Sequence, residues 1–402
     1  MNFLPVILGS DHNAYGVARS FHEAYGVSSL LLAKKHLPAT DHSRILTMEV
    51  SADFDRQDVF LPKMIEVGKR LVKEGQKNLL VSCGDGYTEL LIRNRAALAP
   101  YFTFNYLDEK AQKELENKEA FYQICAQYGL DYPETTIIKG DHWQDFPLPD
   151  QYPVALKADN SIEYLHLQFE GKEKAYKIQN QDDLLTTVRR IYAAGYRSDL
   201  IMQDWIPGDS SAMYVLNCYV DQKGKVRMMN LGRCLLDECL PQAIGNYNAL
   251  ISQANPEIYQ QYQRFLEGYG YRGFANFDLK YDIRDGRYKV FEINLRQGQS
   301  SFYMTAGGCN FVTYLVEDMI EGQEAPVHYH ETGKLWLNVD PTVLIRYCNP
   351  SDRSLAQNLV EKGFTFTQWY KADRNLFRFL NYWRRRFSTR RYYPKFEPAR
   401  QK

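Results

Sequence analysis

Residues 273–296, GFANFDLKYDIRDGRYKVFEINLR, read as two strands joined by a polar turn, and this hairpin constrains the chain more than any other segment. Asp278 on the first strand lies opposite Glu292-Ile293-Asn294 on the second. Alternation along the second strand puts Glu292, Asn294 and Arg296 on one face. Two carboxylates and an amide oxygen on a rigid hairpin make a set of hard oxygen ligands with positions left for phosphate and water, which suits a nucleotide-bound Mg²⁺. Arg296 beside them would offset charge that grows on a transferring phosphoryl or acyl group. A solvated surface hairpin is the plain alternative. It does not explain why Asn294 and Arg296 alternate with Phe291, Ile293 and Leu295, nor why the polar, glycine-containing RQGQSS follows.

At 402 residues the chain is long enough for two to four structural units. FLPVILGS reads as a buried strand, DHNAYG as a turn and VARSFHEAYG as a helix, which together open an α/β unit. A second unit begins at KNLLVSCGDGYTELLIRNR, with the strand at Leu79–Ser82 and the helix from near Tyr87. Both strand ends carry small and polar residues, at the edge of a parallel sheet where ligands bind. From about Asn117 the pattern changes to an amphipathic helix and then to short strands broken at Gly171, Gly208 and Gly224, so an α+β region follows the α/β region.

Several classes are disfavoured. The N-terminus has no basic segment followed by an apolar run of the kind a signal peptide needs. Nothing approaches the roughly 20 consecutive apolar residues of a spanning helix, and a cytoplasmic protein is expected. Seven scattered cysteines without a CxxC pair read as reduced thiols rather than zinc ligands. Formal charge is zero overall but uneven, because residues 374–402 carry ten Lys/Arg against the single acid Glu397.

From roughly Lys118 to Gly308 the order of segments resembles the ATP-grasp superfamily. The resemblance implies an ATP-grasp domain over 116–330, with a small lobe at about 135–205 and a large lobe at about 206–330. An N-terminal parallel-sheet domain over 1–115 precedes it, and a C-terminal extension with a basic aromatic tail, 331–402, follows. It implies ATP and Mg²⁺ as cofactors. Lys118 and Lys157 fall where the family has its phosphate-contacting lysines. IMQDWIPG is similar to the hinge that holds adenine, giving Gln203, Asp204, Trp205 and Ile206, with Asp209 near the ribose. Asp278, Glu292 and Asn294 take the metal positions and Arg296 the charge-stabilising one. The loop after Lys157 departs from the family's glycine-rich pattern, with no glycine until Gly171, and Lys174 is a further phosphate candidate. Arg272 and Arg233 are candidates for gripping a substrate carboxylate, with ion pairing of Arg233 to Asp237 or Glu238 as the structural alternative.

The N-terminal segments VILGSDHNAYGVARSFHEAYG and CGDGYTELLIRNR are similar to carboxylate–amine ligases of bacterial cell-wall assembly, of the D-aspartate ligase kind. That implies an amide formed between an activated amino-acid carboxylate and an amine-bearing precursor. Asp11, Asp85 and Thr88 stand as candidates for binding an amine or hydroxyl, or as turn caps. Another ATP-grasp ligase with a soluble acceptor, or a non-catalytic nucleotide-binding module, are the other readings. The tail FRFLNYWRRRFSTRRYYPKFEPARQK mixes aromatics with arginines as interfacial anchors do, so peripheral contact with an anionic membrane is expected, a homo-oligomer is compatible, and nucleic acid is disfavoured.

Overall fold

The computed structural model describes residues 2–331 and 333–400. A parallel four-stranded sheet has the order Leu46–Val50, Ser29–Ala33, Phe3–Leu8, Lys77–Ser82. Phe3–Leu8 is almost wholly apolar because it is covered on both faces. Phe3 and Ile7 pack with Tyr15 and Phe21 of the helix His12–Tyr25. Val6 and Leu8 pack with Phe60, Met64 and Val67 of the helix Gln57–Lys73. The chain leaves Phe3–Leu8 toward one edge and returns on its other side, so strand order reverses between the carboxyl ends of Phe3–Leu8 and Lys77–Ser82. Ligands of open parallel sheets bind at such a reversal.

The expected turn DHNAYG is instead the first turn of a helix. The Asp11 carboxylate accepts from the Ala14 amide at 3.0 Å, and this cap starts the helix at His12. Gly9, at φ 131°, makes the sharp exit from the strand. The second helix starts at Asp85 rather than near Tyr87.

The hairpin strands Gly273–Asp282 and Arg287–Asn294 form one side of a larger sheet that continues through Met213–Val220, Val226–Asp237, Tyr247–Ser252, Leu335–Leu337 and Phe364–Phe366. His328–Tyr329 pairs beside Val226–Asp237. Val215, Tyr219, Met228, Phe274 and Trp336 share a core with Tyr15 and Phe21. The residues up to Leu130, Asp209–Leu279 and those from Glu292 onward form one compact unit. Asp131–Gly208 and Lys280–Phe291 form a second.

The second unit holds an antiparallel sheet ordered Thr135–Ile138, Leu200–Asp204, Val154–Ala158, Ala175–Ile178. Ile138, Leu156, Tyr176, Ile178 and Met202 pack against Leu184, Val188 and Ile191 of the helix Gln181–Ala193. The segment after Lys157 contains a short helix, Ser161–His166, whose start is capped by Asn160.

The basic tail is a 25-residue helix, Leu376–Arg400; positions 401 and 402 lie outside the described residues. Part of its charge is used internally. Arg386 and Arg390 reach the buried Asp340 at 2.6 and 2.9 Å, and Arg378 reaches Asp373 at 3.0 Å. All seven cysteines are buried thiols. Among the described residues no helix is long and apolar enough to cross a membrane.

Candidate active site

The hairpin brings Asp278, Glu292 and Asn294 together, as the alternation requires. Asn294 Nδ2 lies 3.4 Å from Asp278 Oδ2 and donates to Asn276 Oδ1 at 3.1 Å. Asn276 in turn donates to Asn217 Oδ1 at 3.1 Å. A Cβ on Gly298 would meet the Asn276 amide at 2.9 Å, so the glycine after Gln297 keeps this amide chain closed. Tyr247, from the neighbouring strand Tyr247–Ser252, donates its hydroxyl to Asp278 Oδ1 at 2.9 Å.

Lys118 opens the helix Lys118–Gln127 and places Nζ 3.0 Å from Glu292 Oε2. Its side chain is 15% exposed and that of Glu292 is 45%. The ammonium is therefore held while the carboxylate keeps an open side. Burial, then the neighbouring Glu292 charge, pushes the Asp278 carboxyl up to about 7 despite Tyr247, Arg296 and Lys118. Two carboxylates crowd each other here beside an amide, and a divalent cation would relieve that repulsion. The donor set fits Mg²⁺, which takes oxygen ligands and one or two carboxylates.

Arg296 does not continue the hairpin face, because the strand ends at Asn294. It turns to the parallel sheet, where Nε and Nη2 meet the two Asp85 carboxylate oxygens at 2.7 and 2.9 Å, and Nη1 donates to the Gln297 carbonyl at 3.0 Å. Burial lowers the guanidinium's proton affinity, but Asp85 outweighs it and the net shift is upward. Asp85 and Asp11 follow the two strands that flank the reversal of strand order, and Arg296 lies in the field of both. Gln297 donates to the Ser82 carbonyl at 2.8 Å and Asn13 to the Gln297 carbonyl at 3.3 Å, tying the segment after the hairpin to both strand ends. Thr88 is buried and bonds Ser82 Oγ at 2.9 Å and the Gly84 carbonyl at 3.0 Å, in keeping with a turn cap.

In the second unit Lys157 sits near the end of Val154–Ala158, level with Ile201 on one neighbouring strand and Ala175 on the other. Lys174, exposed, immediately precedes Ala175–Ile178. Gln203 is buried and donates to Thr135 Oγ1 at 2.9 Å. Asp204 is ion-paired with Arg284. The Trp205 ring has Lys177 Nζ at 5.0 Å and Lys280 Nζ at 5.7 Å from its centroid. Lys280 also donates to the Ile206 and Gly208 carbonyls at 2.8 and 2.9 Å, which fixes the backbone of this segment.

Three other candidates lie in different surroundings. Arg272 donates to the carbonyls of Gln222, Gly270 and Tyr271 at 2.9, 3.0 and 2.7 Å. Arg233 Nη2 donates to both Asp352 carboxylate oxygens at 2.9 and 2.8 Å, and the partner is neither Asp237 nor Glu238. Asp209 caps a short turn through Ser211 and accepts from Asn349 at 2.6 Å. Sequence reading missed Tyr247, Asn276 and Lys280. Asn276 and Lys280 carried a signal, since they are two residues either side of Asp278 and share its face.

No family model matches the chain. It is 42% identical over 391 residues, 94% of its length, to D-aspartate ligase from Enterococcus faecium (strain Aus0004), covering 93% of that protein. The chain belongs to the D-aspartate ligase family. Solved structures with the same fold include the biotin carboxylase domain of 2-oxoglutarate carboxylase from Hydrogenobacter thermophilus, at TM-score 0.59 and 14% identity over 83% of this chain and 74% of that one. L-amino acid ligase from Bacillus licheniformis aligns at TM-score 0.55 and 13% identity over 81% and 78%. N5-carboxyaminoimidazole ribonucleotide synthetase in its ADP complex aligns at 0.58 and 12% over 86% and 84%. These place the chain in the ATP-grasp fold. As a D-aspartate ligase family member it is an ATP-dependent carbon–nitrogen ligase that joins a carboxylate to an amine.

Proposed function

We propose that the chain phosphorylates the β-carboxylate of D-aspartate and passes the resulting acyl group to the side-chain amine of a lysine in a peptidoglycan precursor. The observation that carries the site assignment is the pairing of Asp278 with Glu292, with Lys118 on one and Asn294 against the other. The substrate assignment rests on the 42% identity to a D-aspartate ligase.

In this reading Asp278, Glu292 and Asn294 hold the Mg²⁺, which when bound would draw charge from the phosphates of ATP. Lys118, Lys157 and Lys174 contact phosphate oxygens. A lysine at about 4 Å from such an oxygen contributes on the order of 4 kcal/mol at an effective dielectric near 20, before desolvation. The backbone and side chains of Gln203 to Ile206 receive the adenine, and Asp209 the ribose. Arg296, oriented by Asp85, holds the donor carboxylate and stabilises the charge of the acyl phosphate as the amine attacks. Arg272 supports the large lobe through the carbonyls it binds.

Phosphate release from ATP and Mg²⁺, screened over D- and L-amino acids with and without a lysine-containing precursor, tests the reading. Release that requires D-aspartate and the precursor together is the expected result. Release with another amino acid or a soluble amine keeps the ligase and discards this substrate pair.

A further inference from the structure

We infer that the outward face of the C-terminal helix Leu376–Arg400 is a docking surface for an anionic lipid bilayer. At about 100° per residue, Leu376, Leu380 and Phe387 fall in one narrow stripe, and Arg384, Arg391 and Lys395 line its edge. All six are exposed, with Leu376, Leu380 and Phe387 at 68%, 54% and 55%. Phe377, at 55%, lies level with the basic edge.

The opposite side of the helix is fixed to the body. Arg378, Tyr382, Thr389 and Tyr393 are buried, Tyr393 donates to the Asp237 carbonyl, and Arg386 and Arg390 are held by Asp340. The helix cannot roll to hide its apolar stripe without breaking these contacts.

Charge selects the partner. From Arg374 to Glu397 the helix region has a single acid, Glu397, and that residue is buried, so the charged side chains it exposes are all cationic. Large apolar groups that project among arginines match the boundary between headgroups and acyl chains, where the side chains enter the hydrocarbon and the guanidinium groups meet anionic headgroups. A second copy of this chain would have to bring its own excess of arginines against these.

The test is flotation of the full-length protein with vesicles of equimolar phosphatidylglycerol and phosphatidylcholine, and with phosphatidylcholine alone. The expected result is association with the anionic vesicles, weakened by salt and absent with phosphatidylcholine. Leu380→Ser with Phe387→Ser should lower vesicle affinity roughly tenfold or more, and Arg384→Glu with Arg391→Glu by about fivefold for each residue. Both pairs should keep the melting temperature and the phosphate release measured with soluble substrates. No association, equal association with both vesicle types, or a Leu380→Ser/Phe387→Ser protein that loses self-association but floats normally would overturn the inference.

Discussion

The Arg296 guanidinium is forked onto Asp85, Nε to Oδ1 at 2.7 Å and Nη2 to Oδ2 at 2.9 Å, across 211 residues of sequence. Arg296 follows the second hairpin strand, Arg287–Asn294, and Asp85 starts a helix on the parallel sheet. The pair therefore sets where a cation stands relative to the strand ends. Asp85→Ala should cost about 1–2 kcal/mol, because the carboxylate is exposed but its loss leaves the largely buried Arg296 guanidinium without its charged partner. It should lower kcat/KM for the donor amino acid by up to about 100-fold through misplacement of Arg296. Steady-state kinetics in each substrate checks this, with KM for ATP expected to stay near its original value.

Glu292→Gln removes a negative oxygen that faces both Lys118 and Asp278. Turnover should be abolished while ATP binding survives in weakened form, because a metal ligand matters most as charge moves in the transition state. Isothermal titration with ATP, beside a phosphate-release assay, separates the two effects. Near-normal turnover would mean that the hairpin is not the metal site.

Asp340 is buried and accepts from Arg386, Arg390 and Thr342. Burial alone would raise its pKa, but these donors bring the net shift down. Asp340→Ala leaves the largely buried Arg386 guanidinium without its carboxylate, takes a partner from the half-exposed Arg390 and removes a helix cap. A loss of about 3 kcal/mol is expected, measured by chemical denaturation, with the C-terminal helix losing amide-exchange protection first.

His12 gives the acid limb of stability a defined source. Its Nδ1 is closed off from solvent and lacks a hydrogen-bond partner in the structure. Burial, with Arg385 and Arg378 nearby, pushes its pKa down to about 3 from 6.5. The folded state resists a proton that the unfolded state accepts, so this contribution to stability is present above pH 6.5 and lost as pH falls toward 3. His12→Gln should flatten the fall in melting temperature over that window. An unchanged slope would place the acid sensitivity elsewhere.

How much was legible follows from the range of the forces involved. Asp278, Glu292 and Asn294 were readable because strand alternation is local: residues two apart share a face wherever the strand sits. The same rule failed for Arg296, since the strand ends at Asn294 and a bend redirects the chain. The helix start at His12 was hidden behind turn-forming residues, because Asp11 serves a turn and a cap equally well and only the path out of Phe3–Leu8 chooses between them.

By itself, then, the sequence determined the type of its main elements, the meeting of Asp278, Glu292 and Asn294 on one hairpin and the uneven charge, all carried by periodicity and composition over a few neighbours. Tertiary structure alone decided the partners: Asp85 for Arg296, Tyr247 for Asp278, Asp352 for Arg233 and Asp340 for Arg386 and Arg390. Each of these pairs joins residues at least 30 positions apart. Their meeting depends on strand order and helix docking, which hydrophobic burial settles over the whole chain and no local pattern encodes.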